Sequence, residues 1–221
     1  MIQPSVKEQI VLAAERLFAE HGLEGVSLRQ VSTAAGNGNN SAVQYHFGNR
    51  DRLIQAIFEY RLPDLNERRR MLAARHRPED LRTHVECHVL PVLEQGEQQG
   101  SHYLGFVAKL QQTGRRDVFD KLPDKYREPT RIFREGIAGY LAHIPEPLRS
   151  HRVAQAMGFA VHAGSQRERA QLQGGHVLPF DLHVQDLIDG LVGFLEAPTS
   201  LPPSSGREAL DPSALALPFH P

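Results

Sequence analysis

The densest grouping of hydrogen-bonding side chains lies between residues 27 and 47. Ser27, Arg29 and Gln30 precede a turn-rich stretch, Asn37-Gly38-Asn39-Asn40, and Ser41, Gln44, Tyr45 and His46 follow it. These residue types suit contact with duplex DNA: Asn and Gln can bond bidentately to adenine, Ser can donate or accept, and Tyr can reach a phosphate. A second grouping, His84, Cys87 and His88, falls at i, i+3 and i+4, a spacing that can present metal ligands on one helical face. Zinc wants a fourth ligand, and the sequence nominates none. A buried thiol beside partly exposed imidazoles is the simpler reading, so neither a metal nor a cofactor is expected. Enzymatic chemistry finds no foothold, because Gly-x-Ser-x-Gly, Walker-type and Gly-x-Gly-x-x-Gly patterns are all missing. The expectation is a binding protein, not an enzyme.

The elements that would position these side chains read as helices throughout, with no sustained period-2 alternation. Ser5-Val6-Lys7-Glu8 is a capping box, and Ile10, Val11, Ala14, Leu17 and Phe18 follow on one stripe that Gly22 is placed to end. Ser27-Leu28-Arg29-Gln30 is a second box, flanked by Val26 and Val31 at the positions of a hydrophobic staple. A third short helix is expected to open at Asn39 or Asn40, with Asn39, Asn40, Ser41, Gln44, Tyr45 and His46 exposed and Ala42, Val43 and Phe47 inward. Asn49 caps a fourth, longer helix, in which Pro63 is placed to introduce a kink. A capped short helix, a tight polar turn and a second short polar helix are the pattern of a helix-turn-helix, whose second helix enters the major groove. The bland alternative is a solvated turn between two core helices.

Beyond Pro78 the pattern predicts longer helices over 78–99, 101–113, 130–143, 146–173 and 181–196, with Pro91 bending or splitting the first. Residues 114–129, holding Pro123 and Pro129, read as an irregular charged connection. Arg68-Arg69-Arg70, with Arg75 and Arg77 behind, is the densest basic run; it reads as a solvated face, or alternatively as a backbone or interdomain contact. After Leu195 six prolines occur among Ser and Gly, a composition that predicts a disordered tail over 197–221.

Charge adds little: Lys+Arg 25 against Asp+Glu 26 leaves a net charge of −1, so any DNA binding must come from a local patch. The single cysteine excludes a disulfide within the chain and suits a reducing, cytoplasmic setting. No run approaches the apolar length of a membrane span, so no membrane partner is expected.

Residues 5–65 resemble the DNA-binding domain of the tetracycline-repressor (TetR) family. The likeness rests on Ala13-Ala14-x-x-Leu17-Phe18-x-x-x-Gly22, on Ser27-x-x-x-Val31 through Ala35-Gly36, on Tyr45-His46-Phe47, and on Asn49-Arg50-Asp51-x-Leu53. It implies an all-α, homodimeric transcription regulator, commonly a repressor released from a palindromic operator by a small molecule. It also implies an N-terminal three-helix helix-turn-helix domain over 5–66, joined to a C-terminal helical bundle over 67–196 for ligand binding and dimerisation. By position, the residues matching the family's DNA contacts are Ser27, Arg29, Asn40, Ser41, Gln44, Tyr45, His46 and Arg50. Arg29, Tyr45, His46 and Arg50 would clamp phosphates, and Asn40, Ser41 and Gln44 would read bases. Two departures fall in the recognition region: the turn after Gly36 is one residue longer than usual, and Gln44 stands where the family usually has a tyrosine.

The resemblance further implies an effector pocket in the C-terminal domain. Leu104, Phe106, Val107, Phe133, Met157 and Val161 would make it mainly apolar, suiting a small, mainly apolar effector, with His102, Tyr103, Tyr140 and His162 as polar anchors. In 181–196, with Asp181 as N-cap, Leu187, Ile188, Leu191 and Leu195 repeat at helical spacing, and Ala156, Ala160 and Gly164 put small side chains a turn apart in the preceding helix. These two stripes either build a four-helix dimer interface or face the chain's own core; the resemblance implies the first. The competing reading of the whole chain is a helical ligand-binding or scaffold protein whose helix-turn-helix is structural only.

Overall fold

The computed structural model describes residues 5–36, 42–115 and 117–200; they form ten helices, with no strand among them. In chain order these are α1 (Val6–His21), α2 (Leu28–Ala34), α3 (Ala42–Phe47), α4 (Arg50–His76) and α5 (Leu81–Gly96), followed by α6 (Tyr103–Gln112), α7 (Asp117–Asp120), α8 (Asp124–Ile137), α9 (Leu148–Leu172) and α10 (Phe180–Glu196). The tail after Ser200, and the turn Asn37–Asn40 with Ser41, lie outside the described residues.

The first helices start on local signals. At α1 the Glu8 amide donates to Ser5 Oγ (3.3 Å) and the Ser5 amide donates to the Glu8 carboxylate (2.7 Å). At α2 the Gln30 amide donates to Ser27 Oγ (3.2 Å) and the Ser27 amide to Gln30 Oε1 (2.8 Å). Asn49 and Asp80 cap α4 and α5 through the Arg52 and Thr83 amides. Each such cap satisfies donors that the first turn leaves orphaned. Gly22, at φ +76, ends α1 in a conformation that a Cβ would oppose.

Further along, the helices depart from the sequence expectation. Residues 114–129 are not wholly irregular: α7 and the first turns of α8 occupy part of them. Pro129 sits inside α8, where the carbonyl it leaves unpartnered belongs to exposed Lys125 and can be met by water. At its other end α8 stops at Ile137, and residues to Ile144 continue as turns closed by bonds such as Tyr140 N–H to the Ile137 carbonyl (3.1 Å). Pro91 does not split α5, which runs unbroken through it. α10 opens at Phe180 behind Pro179, so Asp181 lies in its first turn and is not its cap.

Two apolar clusters organise these helices. The first joins Ile10, Phe18, Val31, Val43, Ile54 and Phe58 to Tyr103, Phe106 and Phe119, so the core of α1–α4 continues into α6 and α7. Phe58 sits among the rings of Phe106 (5.5 Å), Phe119 (5.6 Å) and Tyr103 (6.4 Å). The second cluster joins α5, α8, α9 and α10 through Val85, Phe133, Ala160, Leu187, Leu191 and Leu195. The boundary expected at 66/67 falls within α4, which runs on to His76.

The two clusters meet at α6, and charged side chains hold that junction. Glu168 of α9 accepts from Ser101 Oγ (3.0 Å), the Leu104 amide (3.2 Å) and the Gly105 amide (2.7 Å), capping α6 from more than sixty residues away. Burial nonetheless pushes its carboxyl up to about 7, against these donors. Glu15 of α1 makes two 2.7 Å bonds with Arg61 of α4 and accepts the His102 amide at 3.2 Å. A Cβ at Gly105 would sit 3.1 Å from the Ala19 Cβ, which shows how closely α6 approaches α1.

Candidate nucleic-acid interface

α3 is short and exposes one polar face. Val43 and Phe47 are buried and hold it against the N-terminal core, while Gln44, Tyr45 and His46 face outward, Tyr45 being 85% exposed. Valine and phenylalanine burial at this spacing fixes the helix's rotation, and the three polar side chains therefore share the solvent side. The Tyr45 and His46 rings meet edge to face at 5.1 Å. From Ser27 through Arg50 the chain contains no Asp or Glu, so the surface that α2 and α3 present carries only positive charge, a feature the near-neutral total conceals.

Not every residue expected to contact DNA is free to do so. Arg29 is exposed on α2 and makes no ion pair with a described residue. Ser27 is exposed, but its hydroxyl already serves the capping box. Arg50 donates to the Glu24 carboxylate (2.9 Å) and to the Val26 carbonyl (2.8 Å), stapling the start of α4 to the α1–α2 connection. A phosphate would have to displace or share those bonds. Asn40 and Ser41 lie outside the described residues.

Residues 10–57 match the model of the TetR family of bacterial regulatory proteins, the span that holds α2 and α3. That span therefore carries a helix-turn-helix domain of the TetR type. A stretch of 51 residues is 37% identical to the transcriptional repressor AcnR of Corynebacterium efficiens, and equally to AcnR of Corynebacterium glutamicum. Each alignment covers 23% of this chain and 27% of the repressor, so the chain matches about a quarter of the length of these curated relatives. Over the whole fold, a transcriptional regulator from Rhodococcus sp. Rha1 superposes with a TM-score of 0.56 at 20% identity, covering 86% of this chain and 96% of that one. The likeness in all-α fold therefore extends past the helix-turn-helix.

Within this fold, α4, α5, α8 and α9, with residues of α6 and α7, line a narrow cavity of about 90 Å3 that opens to solvent. The four anchors expected for an effector do not converge on it. Tyr103 lines this cavity, whereas His102 and His162 line a separate polar groove between α1, α6 and α9. Tyr140 is exposed, and its hydroxyl donates to the Glu79 carbonyl (2.7 Å) on the outside. Periodicity placed all four on helices without showing which helix stood opposite.

The residues sequence reasoning missed are Arg69 and His88. Arg69 Nε donates to the His88 carbonyl (3.0 Å), Nη1 donates to Asn66 Oδ1 (3.2 Å), and Nη2 meets His88 Nε2 (3.2 Å). The His88 ring stacks on Phe133 at 4.1 Å and 9°, and burial followed by the nearby guanidinium holds it well below the usual imidazole range. His84 turns instead toward Tyr140, so His84, Cys87 and His88 diverge. Among the described residues no three His, Cys, Asp or Glu side chains are grouped to hold a metal ion. The basic run is not a purely solvated face either, since Arg68 bonds Glu94 of α5 through two 2.9 Å contacts.

The dimer stripes need correction. Leu187, Ile188, Leu191 and Leu195 are buried in the chain's own second cluster, as are Ala156 and Ala160. Gly164 is small because Leu104 and Leu93 press on it: a Cβ there would meet them at 2.7 and 3.0 Å. The exposed large apolar residues of the same two helices are Phe159, Leu172, Leu182 and Phe194. No helix among the described residues is long and apolar enough to cross a membrane.

Proposed function

We propose that this TetR-family chain is a homodimeric transcriptional repressor that grips palindromic operator DNA through α2 and α3. A small molecule in the cavity between α4, α5, α8 and α9 releases it. The observation that carries the reading is the outward polar face of α3, Gln44, Tyr45 and His46, mounted on buried Val43 and Phe47 and free of acid residues. Gln44, Asn40 and Ser41 read bases, while Arg29, Tyr45 and His46 hold phosphates. Arg50 acts chiefly by positioning α4. Repressor relatives support the sign of regulation.

The route from cavity to DNA runs through α6, which packs on α1 and is capped by Glu168 of α9. A ligand that favours one seating of α6 changes the seating of α1, and linkage requires operator and ligand to oppose each other equally. Dimerisation uses the outer face of α9 and α10, where Phe159, Leu182 and Phe194 are exposed, and the buried leucine stripe supports that face from within. Cytoplasmic location follows from the operator.

Selection of duplexes from a random pool tests this reading. The parent should enrich a palindrome with half-sites one turn apart, about 34–36 Å. Phe159→Asp with Phe194→Asp should give a monomer by light scattering, keep helical circular dichroism and lose that enrichment. Enrichment of a single, non-repeated half-site by the parent would contradict the dimer, and no enrichment at all would favour the structural-only helix-turn-helix.

A further inference from the structure

The cavity wall is apolar except at a few points, and those points have one sign. Arg69 and Arg134 both line it, and no Asp or Glu is among its described lining residues. Arg69 has five N–H donors and uses three, all on neutral acceptors: the His88 carbonyl, Asn66 Oδ1 and His88 Nε2. No carboxylate of a described residue pairs with it. Beside it stands Tyr103, only 4% exposed, whose hydroxyl makes no hydrogen bond to a described residue. A half-buried guanidinium without an anion and a phenol hydroxyl without a protein partner, both at the cavity wall, leave hydrogen-bonding capacity that a ligand can take up.

Position adds direction. A shallower basin on the outer side of α4 and α5 shares Arg69, His88 and Phe133 with the cavity, so Arg69 stands where the apolar interior meets the entrance. A ligand entering there would leave its polar head at Arg69 and carry its body inward.

We infer that the cavity takes an apolar monocarboxylate, its carboxylate on Arg69 and Tyr103 and its hydrocarbon body against Leu62, Val107, Phe119 and Val161. The inference rests on reading this cavity as the effector site and adds the chemistry of the effector. A carboxylate accepts the two unused N–H groups of Arg69 and the Tyr103 hydroxyl together, which an alcohol or amide cannot do with equal charge complementarity. Burial pushes the Arg69 guanidinium down to about 10, the mark of a cation lacking a nearby anion, and it stays charged at neutral pH. Arg134 adds a second positive charge to the same wall.

Calorimetry on the full chain with decanoate, tetradecanoate and phenylbutyrate, each against its matching alcohol, tests this. At least one acid should bind about tenfold or more tightly than its alcohol, and Arg69→Gln should abolish that preference. Tyr103→Phe should weaken the acid about three- to tenfold, and it removes no buried contact that folding needs, so it decides the matter if Arg69→Gln does not fold. Equal binding of acid and alcohol, no binding of any of the three acids to folded parent, or acid binding untouched by the variant would overturn the inference. Fluorescence anisotropy on the selected operator separates the two readings. Acid that binds without releasing DNA defeats the effector role and leaves the carboxylate site standing. DNA released only by the alcohols defeats the carboxylate site and leaves the effector role.

Discussion

The N-terminal helix-turn-helix region and the bundle that follows it are built from the same kind of element but organised by different distances along the chain. In α1, α2 and α4 each helix start is closed by a residue three positions away: Ser5 with Glu8, Ser27 with Gln30, Asn49 with Arg52. In the bundle α5 still starts on a local cap, Asp80 with Thr83, but α6 is closed by Glu168 and its preceding residue by Glu15, contacts spanning 63 to 87 positions. Local closure lets the first region hold its shape as a rigid reader. Distant closure makes the seating of α6 depend on where α1 and α9 stand, which is what the proposed relay from ligand to DNA requires.

Breaking the buried charged ties at the α6 junction should therefore cost most. Arg61→Leu strands the Glu15 carboxylate, whose side chain is 1% exposed beside a 10% exposed partner. Loss of one member of such a pair should lower stability by about 3–5 kcal/mol, read from chemical denaturation. A loss below about 1 kcal/mol would show that water reaches Glu15 and that the junction is loose.

A pH series sharpens the same contrast at Glu168. Burial raises its folded carboxyl to about 7, against 4.5 for a free glutamate, so the folded state holds a proton that the unfolded chain has released. Its contribution is complete below about 4.5 and is lost as pH rises through about 7. Relative to Glu168→Gln, the parent's melting temperature should fall across that window and level off above it. A parent-minus-variant difference flat in pH would remove Glu168 as a titrating group at the junction.

The smallest effect is expected at a local cap. Ser27→Ala removes one hydrogen-bonded box in an exposed position and should cost about 1 kcal/mol. A cost equal to that of Arg61→Leu would erase the distinction between local caps and the buried ties at the junction.

That distinction also explains what could be read from the sequence. Helix starts at Ser5, Ser27 and Asn49 and the outward set Gln44, Tyr45 and His46 were legible because cap and period are local signals. Within the bundle, periodicity identified Leu187, Leu191 and Leu195 as buried but could not say against what, and the answer is α5 and α9 of the same chain. Pro129 read as a breaker because propensity takes no account of an exposed carbonyl that water can satisfy. Arg69 was hidden in a run of three arginines; only the approach of α5, which brings His88 to its side, distinguishes it from Arg70, which pairs with Glu67 on the same helix.

The central claim is that the α2–α3 face binds duplex DNA by its positive charge and polar side chains. Titrating the selected duplex with parent and with Arg29→Ala over a range of salt concentrations tests it most directly. The account predicts a straight log–log fall in affinity with a slope of about −0.9 per phosphate neutralised, and a slope flatter by about 0.9 in the variant. Affinity for duplex DNA that does not change with salt, or a parent and variant with identical slopes, would contradict it.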